Sequence, residues 1–139
     1  MKNLRITILL ASVLLSNFIS CTVDEPLRGK IYRPDNIANF EQMINTYDIV
    51  LVDFFADWCG PCRQMHKVIE ALAQDAQLND ILFIEVDTDT QRALSAQYHI
   101  SSLPTIIIFV DGKPLRTLHG YHDKKSLKAI LLEALAYLY

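Results

Sequence analysis

Residues 49–56, IVLVDFFA, are apolar on both alternating faces and broken only by Asp53. A run this short, rich in β-branched and aromatic side chains, is a strand. With no polar face, it belongs at the centre of a sheet covered on both sides. Residues 81–86 and 105–110 repeat the pattern, so the chain must find helices for both faces. The intervening segments supply them. Ile37, Phe40, Met43 and Ile44 fall at helical spacing behind Asp35 or Asn36 as a cap, and Met65, Ile69, Leu72 and Ala73 make one stripe after Pro61. Residues 90–97 read as a short helix, and Leu127, Ile130, Leu131, Ala134 and Leu135 line a last one over residues 124–137. Lys30 to Arg33 can form a short edge strand, and Asp111-Gly112 predicts a tight hairpin into a strand over residues 114–118. The order β-α-β-α-β-α-β-β-α gives an α/β domain, a mixed sheet of four to five strands flanked by helices on both faces.

The 139 residues suffice for one domain with a real core. Lys and Arg number 13 against 16 Asp and Glu, a formal net charge of -3, and without a basic surplus the reading excludes a nucleic-acid partner. Three cysteines are too few for a disulfide-stapled scaffold. Two of them, Cys59 and Cys62, form a CxxC directly after the central strand.

A cysteine at a strand-to-helix junction has its sulfur near free N–H groups and the positive end of the helix dipole, which favour a thiolate. Cys59 holds that position, and Cys62 lies one turn further on the same face, so the two sulfurs can meet. Pro61 suits a first helical turn, and Gly60 keeps side-chain bulk away from Cys59. The expectation is an exposed nucleophile with a recessed partner able to resolve a mixed disulfide. Other uses of a CxxC fit less well. Zinc needs four ligands and only His66 is near, and c-type haem attachment needs His where Arg63 stands. A purely structural disulfide would close a ring too small to constrain the unfolded chain much. Asp53, an acid in an apolar strand, should hold a proton near neutrality and can take one from Cys62, with a merely hydrogen-bonded buried acid as the alternative.

Trp58-Cys59-Gly60-Pro61-Cys62, with Asp53 before it, Asp87 ending the next strand, Leu103-Pro104-Thr105 opening the third, Asp111-Gly112 and Gly120, resembles the thioredoxin family from Lys30 to the carboxyl terminus. The resemblance implies a thioredoxin fold and a protein-disulfide reductase with no cofactor beyond a redox-active Cys59–Cys62 disulfide. It assigns attack to Cys59, resolution to Cys62 and proton transfer to Asp53. Trp58, Gly60, Pro61, Leu103 and a cis Pro104 would form the substrate platform. It also implies a monomer acting on disulfide-containing client proteins. A thiol oxidant or isomerase of the same fold, or a non-catalytic docking module, are the competing functions. Three positions depart from the family pattern: Lys67 replaces a helix proline, Phe55 a tryptophan, and Phe83 a lysine often found near the buried acid. His66, His99, His119 and His122 read as surface residues, with His66 alone near enough to influence Cys59.

Residues 1–21 begin with Lys2 and Arg5, continue through an apolar stretch and end at Phe18-Ile19-Ser20-Cys21, the layout of a secretory signal. Polar interruptions argue against an uncleaved transmembrane anchor. The end of the segment resembles the lipobox of bacterial lipoproteins, which implies lipidation of Cys21, against an incidental thiol at an ordinary cleavage site. Residues 22–29 then read as a linker and 30–139 as the domain. The expected product is a lipid-anchored protein on the periplasmic side of the bacterial cell envelope, drawing electrons from a membrane thiol donor.

Overall fold

The computed structural model describes residues 27–138. Its five strands are β1 (Ile31–Tyr32), β2 (Ile49–Phe55), β3 (Ile81–Asp87), β4 (Thr105–Val110) and β5 (Lys113–His119). The helices are α1 (Ile37–Thr46), α2 (Gly60–Ala73), α3 (Arg92–Gln97) and α4 (Lys124–Ala136), with one 3-10 turn at Ala76–Leu78. Asn36 caps α1 by accepting from the Asn39 N–H, satisfying one of the donors that a helix start leaves free.

The sheet order is β1-β3-β2-β4-β5, with β1, β3 and β2 parallel and β4 and β5 antiparallel to their neighbours. The central position of β2 follows from its residues: all but Phe55 are buried, and each face meets a different helix pair. On one side Ile49, Leu51, Ile81, Phe83, Ile106 and Ile108 pack against Met65, Ile69 and Leu72 of α2 and Leu127 and Leu131 of α4. On the other, Val50, Val52, Phe54, Ile84 and Phe109 pack against Phe40 and Ile44 of α1 and Leu94 of α3. Because side chains alternate along a strand, Asp53 shares the face of Leu51 and so lies under α2.

The hairpin between β4 and β5 is the expected tight one, with Asp111 and Gly112 both left-handed at φ 49° and 72°. Strand β5 is the exposed edge, and Pro114 sits at the register shift opposite Phe109, where a residue without an N–H is tolerated. Residues 27–29 lie against the domain. The Gly29 N–H donates to the Ala73 carbonyl at 2.7 Å, the Arg28 Nε donates to the Gln74 carbonyl at 3.1 Å, and Leu27 packs on the α1 side of the core. Among the described residues no helix is long and apolar enough to cross a membrane. Cys21 and the signal-like segment lie outside the described residues.

Candidate active site

Strand β2 ends at Phe55, and the turn Ala56-Asp57-Trp58 delivers Cys59 to the start of α2. Cys59 is the N-cap: its Sγ accepts from the Cys62 N–H at 3.2 Å, and Pro61 occupies the first turn, where its missing donor costs nothing. Cys59 and Cys62 form a disulfide with Cα atoms 5.2 Å apart. Both are buried, packed with Ala56, Phe55 and Leu103, so the expected contrast between an exposed and a recessed sulfur is not one of solvent exposure in this oxidised form. They differ in which opening they face. Cys59 lies in a cleft of about 480 Å³ lined by Trp58, Pro61, Ile100, Ser102 and Leu103. Cys62 lines a second cleft, of about 400 Å³, with Arg33, His66, Glu70 and Glu85.

The rim of the first cleft is held in place by backbone and side-chain hydrogen bonds. Trp58 is 70% exposed, yet its indole N–H donates to Asp89 Oδ2 at 2.9 Å, which fixes the ring. The Leu103–Pro104 peptide is cis, the Pro104 carbonyl accepts from the Gly120 N–H at 2.8 Å, and Thr105 Oγ1 donates to the Ser102 carbonyl at 2.7 Å. A Cβ at Gly60 would meet only the Arg63 guanidinium, at 3.8 Å. Packing within the chain therefore does not require glycine there, and any requirement comes from what docks against it.

Asp53 is 1% exposed, and neither carboxylate oxygen has a hydrogen-bond partner among the described residues. Burial pushes its pKa up to about 7; the charge of Glu85 adds to the rise and that of His66 opposes it. Sequence reasoning looked for the neighbour of this acid at Phe83, but Phe83 pairs in register with Leu51 and belongs to the core. The residue in register with Asp53 is Glu85, itself 3% exposed. Arg33, just past β1, donates to Glu85 Oε2 from Nη2 at 2.9 Å and Nε at 3.2 Å, and its guanidinium lies 5.3 Å over the ring of Phe55.

His66 pairs with Glu85 through Nδ1 and with Glu70 through Nε2, the latter at 3.3 Å. Burial works against an imidazolium there, but the bond to Glu85 and the charges of Glu85 and Glu70 outweigh it and raise the His66 pKa. His66 keeps the partly exposed position expected of it, but it lines the Cys62 cleft and not that of Cys59, because its place on α2 turns it toward β3. Helix α2 runs unbroken from Gly60 to Ala73 with Lys67 exposed on it. Arg33 and Glu85 were missed. Glu85 carried the same signal as Asp53, an acid inside an apolar strand, while nothing local marks Arg33.

A dithiol pair capping a helix start, one sulfur in each of two clefts and a protonatable acid beneath the helix make a site for thiol–disulfide exchange. The thioredoxin family model matches residues 33–133. The chain is 41% identical over 96 residues to the thioredoxin of Mycoplasmoides gallisepticum, covering 69% of this chain and 94% of that relative. It is 47% identical over 79 residues to the thioredoxin of Chlamydia trachomatis, covering 57% of this chain and 76% of the relative. A mutant thioredoxin from Halobacterium salinarum aligns at TM-score 0.73 and 28% identity, over 79% of this chain and 95% of that one. The thioredoxin of Malassezia sympodialis aligns at TM-score 0.71 and 28% identity, over 79% and 94%. The chain belongs to the thioredoxin family. It is a thiol–disulfide oxidoreductase of that family, with the Cys59–Cys62 pair as its redox group.

Proposed function

We propose that this chain reduces protein disulfides in the cell envelope, held there through a lipid on Cys21. The observation that carries the catalytic reading is the position of Cys59, at the cap of α2 and on the cleft lined by Trp58 and Leu103. A client chain lying in that cleft presents its disulfide to the Cys59 thiolate. Attack forms a Cys59–client mixed disulfide and releases the first client sulfur as a thiolate. Asp53 then takes the proton of the Cys62 thiol, and the Cys62 thiolate attacks Cys59 Sγ, closing the Cys59–Cys62 disulfide and releasing the second client sulfur. Two electrons pass from the dithiol to the client, and the client thiolates take up protons from solvent. Trp58, Gly60, Pro61, Leu103 and Pro104 shape the docking surface.

Export rests on the signal-like residues 1–21, ahead of a folded unit that takes in residues 27–29 of the segment read as a linker. An exported reductase needs electrons from a membrane thiol donor, and the domain acts as a monomer. The competing reading is an oxidant of the same fold. Equilibration of Cys59/Cys62 in glutathione buffers separates the two. A potential near the reference of about −270 mV for thioredoxin supports the reductase, and one near the value of about −120 mV for the oxidant DsbA overturns it. In intact cells Cys62→Ser should trap clients on Cys59, and Cys59→Ser should abolish both trapping and reduction; a docking module would keep its partners in Cys59→Ser. Labelled fatty acid should enter the wild-type chain and not Cys21→Ala, and equal labelling of both would remove the anchor.

A further inference from the structure

Two buried carboxylates, Asp53 and Glu85, stand side by side on adjacent parallel strands, on the face that α2 covers. In-register neighbours on such strands are about 4.8 Å apart and point the same way. Their surroundings differ completely. Glu85 has both oxygens engaged, Oε2 by Arg33 and Oε1 by His66, so its orientation is fixed. Asp53 has no partner for either oxygen among the described residues. When two acids share a site with one charge-stabilised and the other not, the first stays ionised and the second holds the proton.

The Arg33–Glu85–His66 cluster also opens to solvent beside the resolving sulfur, because Arg33, His66 and Glu85 line the same cleft as Cys62. The other charged groups on that cleft are Asp57 from the β2–α2 turn and Arg63, Lys67 and Glu70 from α2. We propose that Glu85, clamped between Arg33 and His66, is a positioning residue for the resolving step, acting through Asp53 by holding its ion-paired carboxylate against it. His66 is the counterweight: it neutralises part of that charge from the solvent side. The inference rests on the reading of Asp53 as the base for Cys62.

The arrangement makes the two partners act in opposite senses. Removing the Glu85 charge leaves Asp53 facing only His66, so Asp53 should give up its proton at lower pH. Removing the His66 charge leaves Glu85 held by Arg33 alone and should make Asp53 keep its proton to higher pH. The experiment is a titration of the Asp53 side-chain carboxyl carbon by NMR in the oxidised full-length chain, for wild type, Glu85→Gln and His66→Asn. The pH dependence of the rate at which Cys62 resolves a Cys59 mixed disulfide is recorded alongside.

Glu85→Gln should lower the Asp53 midpoint by about one pH unit, His66→Asn should raise it by about half a unit, and the rate profiles should follow. A structural role alone would move neither midpoint, or both in the same direction, and either result overturns the inference. His66 is 40% exposed, so its variant tests the idea even where Glu85→Gln does not fold. Asp53→Asn separates this from the underlying reading. If the midpoints move as expected but Asp53→Asn leaves the rate profile unchanged, the role of Asp53 as base fails and the influence of Glu85 stands. If Asp53→Asn flattens the profile while Glu85→Gln leaves the Asp53 midpoint in place, the inference about Glu85 fails.

Discussion

A buried carboxylate with nothing to bond to is costly in its charged form, and for Asp53 that cost sets a sign for stability against pH. The folded pKa, about 7, lies above the 3.8 of an ordinary aspartate, so between these the folded state binds more protons than the unfolded one. Stability contributed by neutral Asp53 is therefore full below pH 4 and is lost as pH rises through 7. Asp53→Asn cannot ionise, so its gain over wild type should grow by about 3 kcal/mol between pH 5 and pH 8. Urea unfolding of the oxidised proteins at those two pH values measures it, and a gain that shrinks toward pH 8 would contradict the burial argument. How much of this was readable in advance follows from range. Asp53 and Cys59 announce themselves locally, as an acid in an apolar run and a thiol at a strand-to-helix junction. The partnership of Glu85 with His66 and Arg33 joins residues 19 and 52 positions apart, and no window of sequence contains it.

Elements were legible where pattern and punctuation agreed. Thr105–Val110 came out with the bounds the apolar run implied, and α1 starts behind one of its two expected caps. Helix α3 is shorter than residues 90–97, starting at Arg92, because Gln91 makes no side-chain cap and Thr90 Oγ1 donates instead to the Asp87 carbonyl. Strand β5 extends past both ends of residues 114–118 because pairing with β4, not its own exposed residues, defines it. Two substitutions test the punctuation. Asn36→Ala removes the acceptor for the Asn39 N–H and should cost about 1 kcal/mol in unfolding free energy. Gly112→Ala faces both a left-handed backbone at φ 72° and the Asn45 side chain where its Cβ would go, and should cost more than about 1 kcal/mol. Equal stability of Gly112→Ala and wild type would mean that the hairpin adopts another turn.

At the scale of the molecule, the amino-terminal boundary of the folded unit is set by contacts that the family match does not include. That match begins at residue 33, yet β1 pairs Ile31 with Phe83 and Tyr32 with Ile84, and Leu27 packs on the core ahead of it. Without these residues β3 becomes the sheet edge, with its ladder of N–H and C=O groups unpaired on one side. A chain beginning at Arg33 should therefore be less stable than one beginning at Leu27, by about 2–4 kcal/mol for the partly buried Leu27, Ile31 and Tyr32 side chains. A chain beginning at Asp35 loses Arg33 as well, leaving Glu85 buried with His66 as its remaining ion-pair partner among the described residues, so its deficit should widen as pH rises and His66 loses its proton. Denaturant unfolding of the three chains at pH 6 and pH 8.5 checks both steps. Equal midpoints for the chains starting at Leu27 and Arg33 would show β1 to be dispensable. A pH-independent gap between the chains starting at Arg33 and Asp35 would show that Arg33 does not share the Glu85 charge with His66.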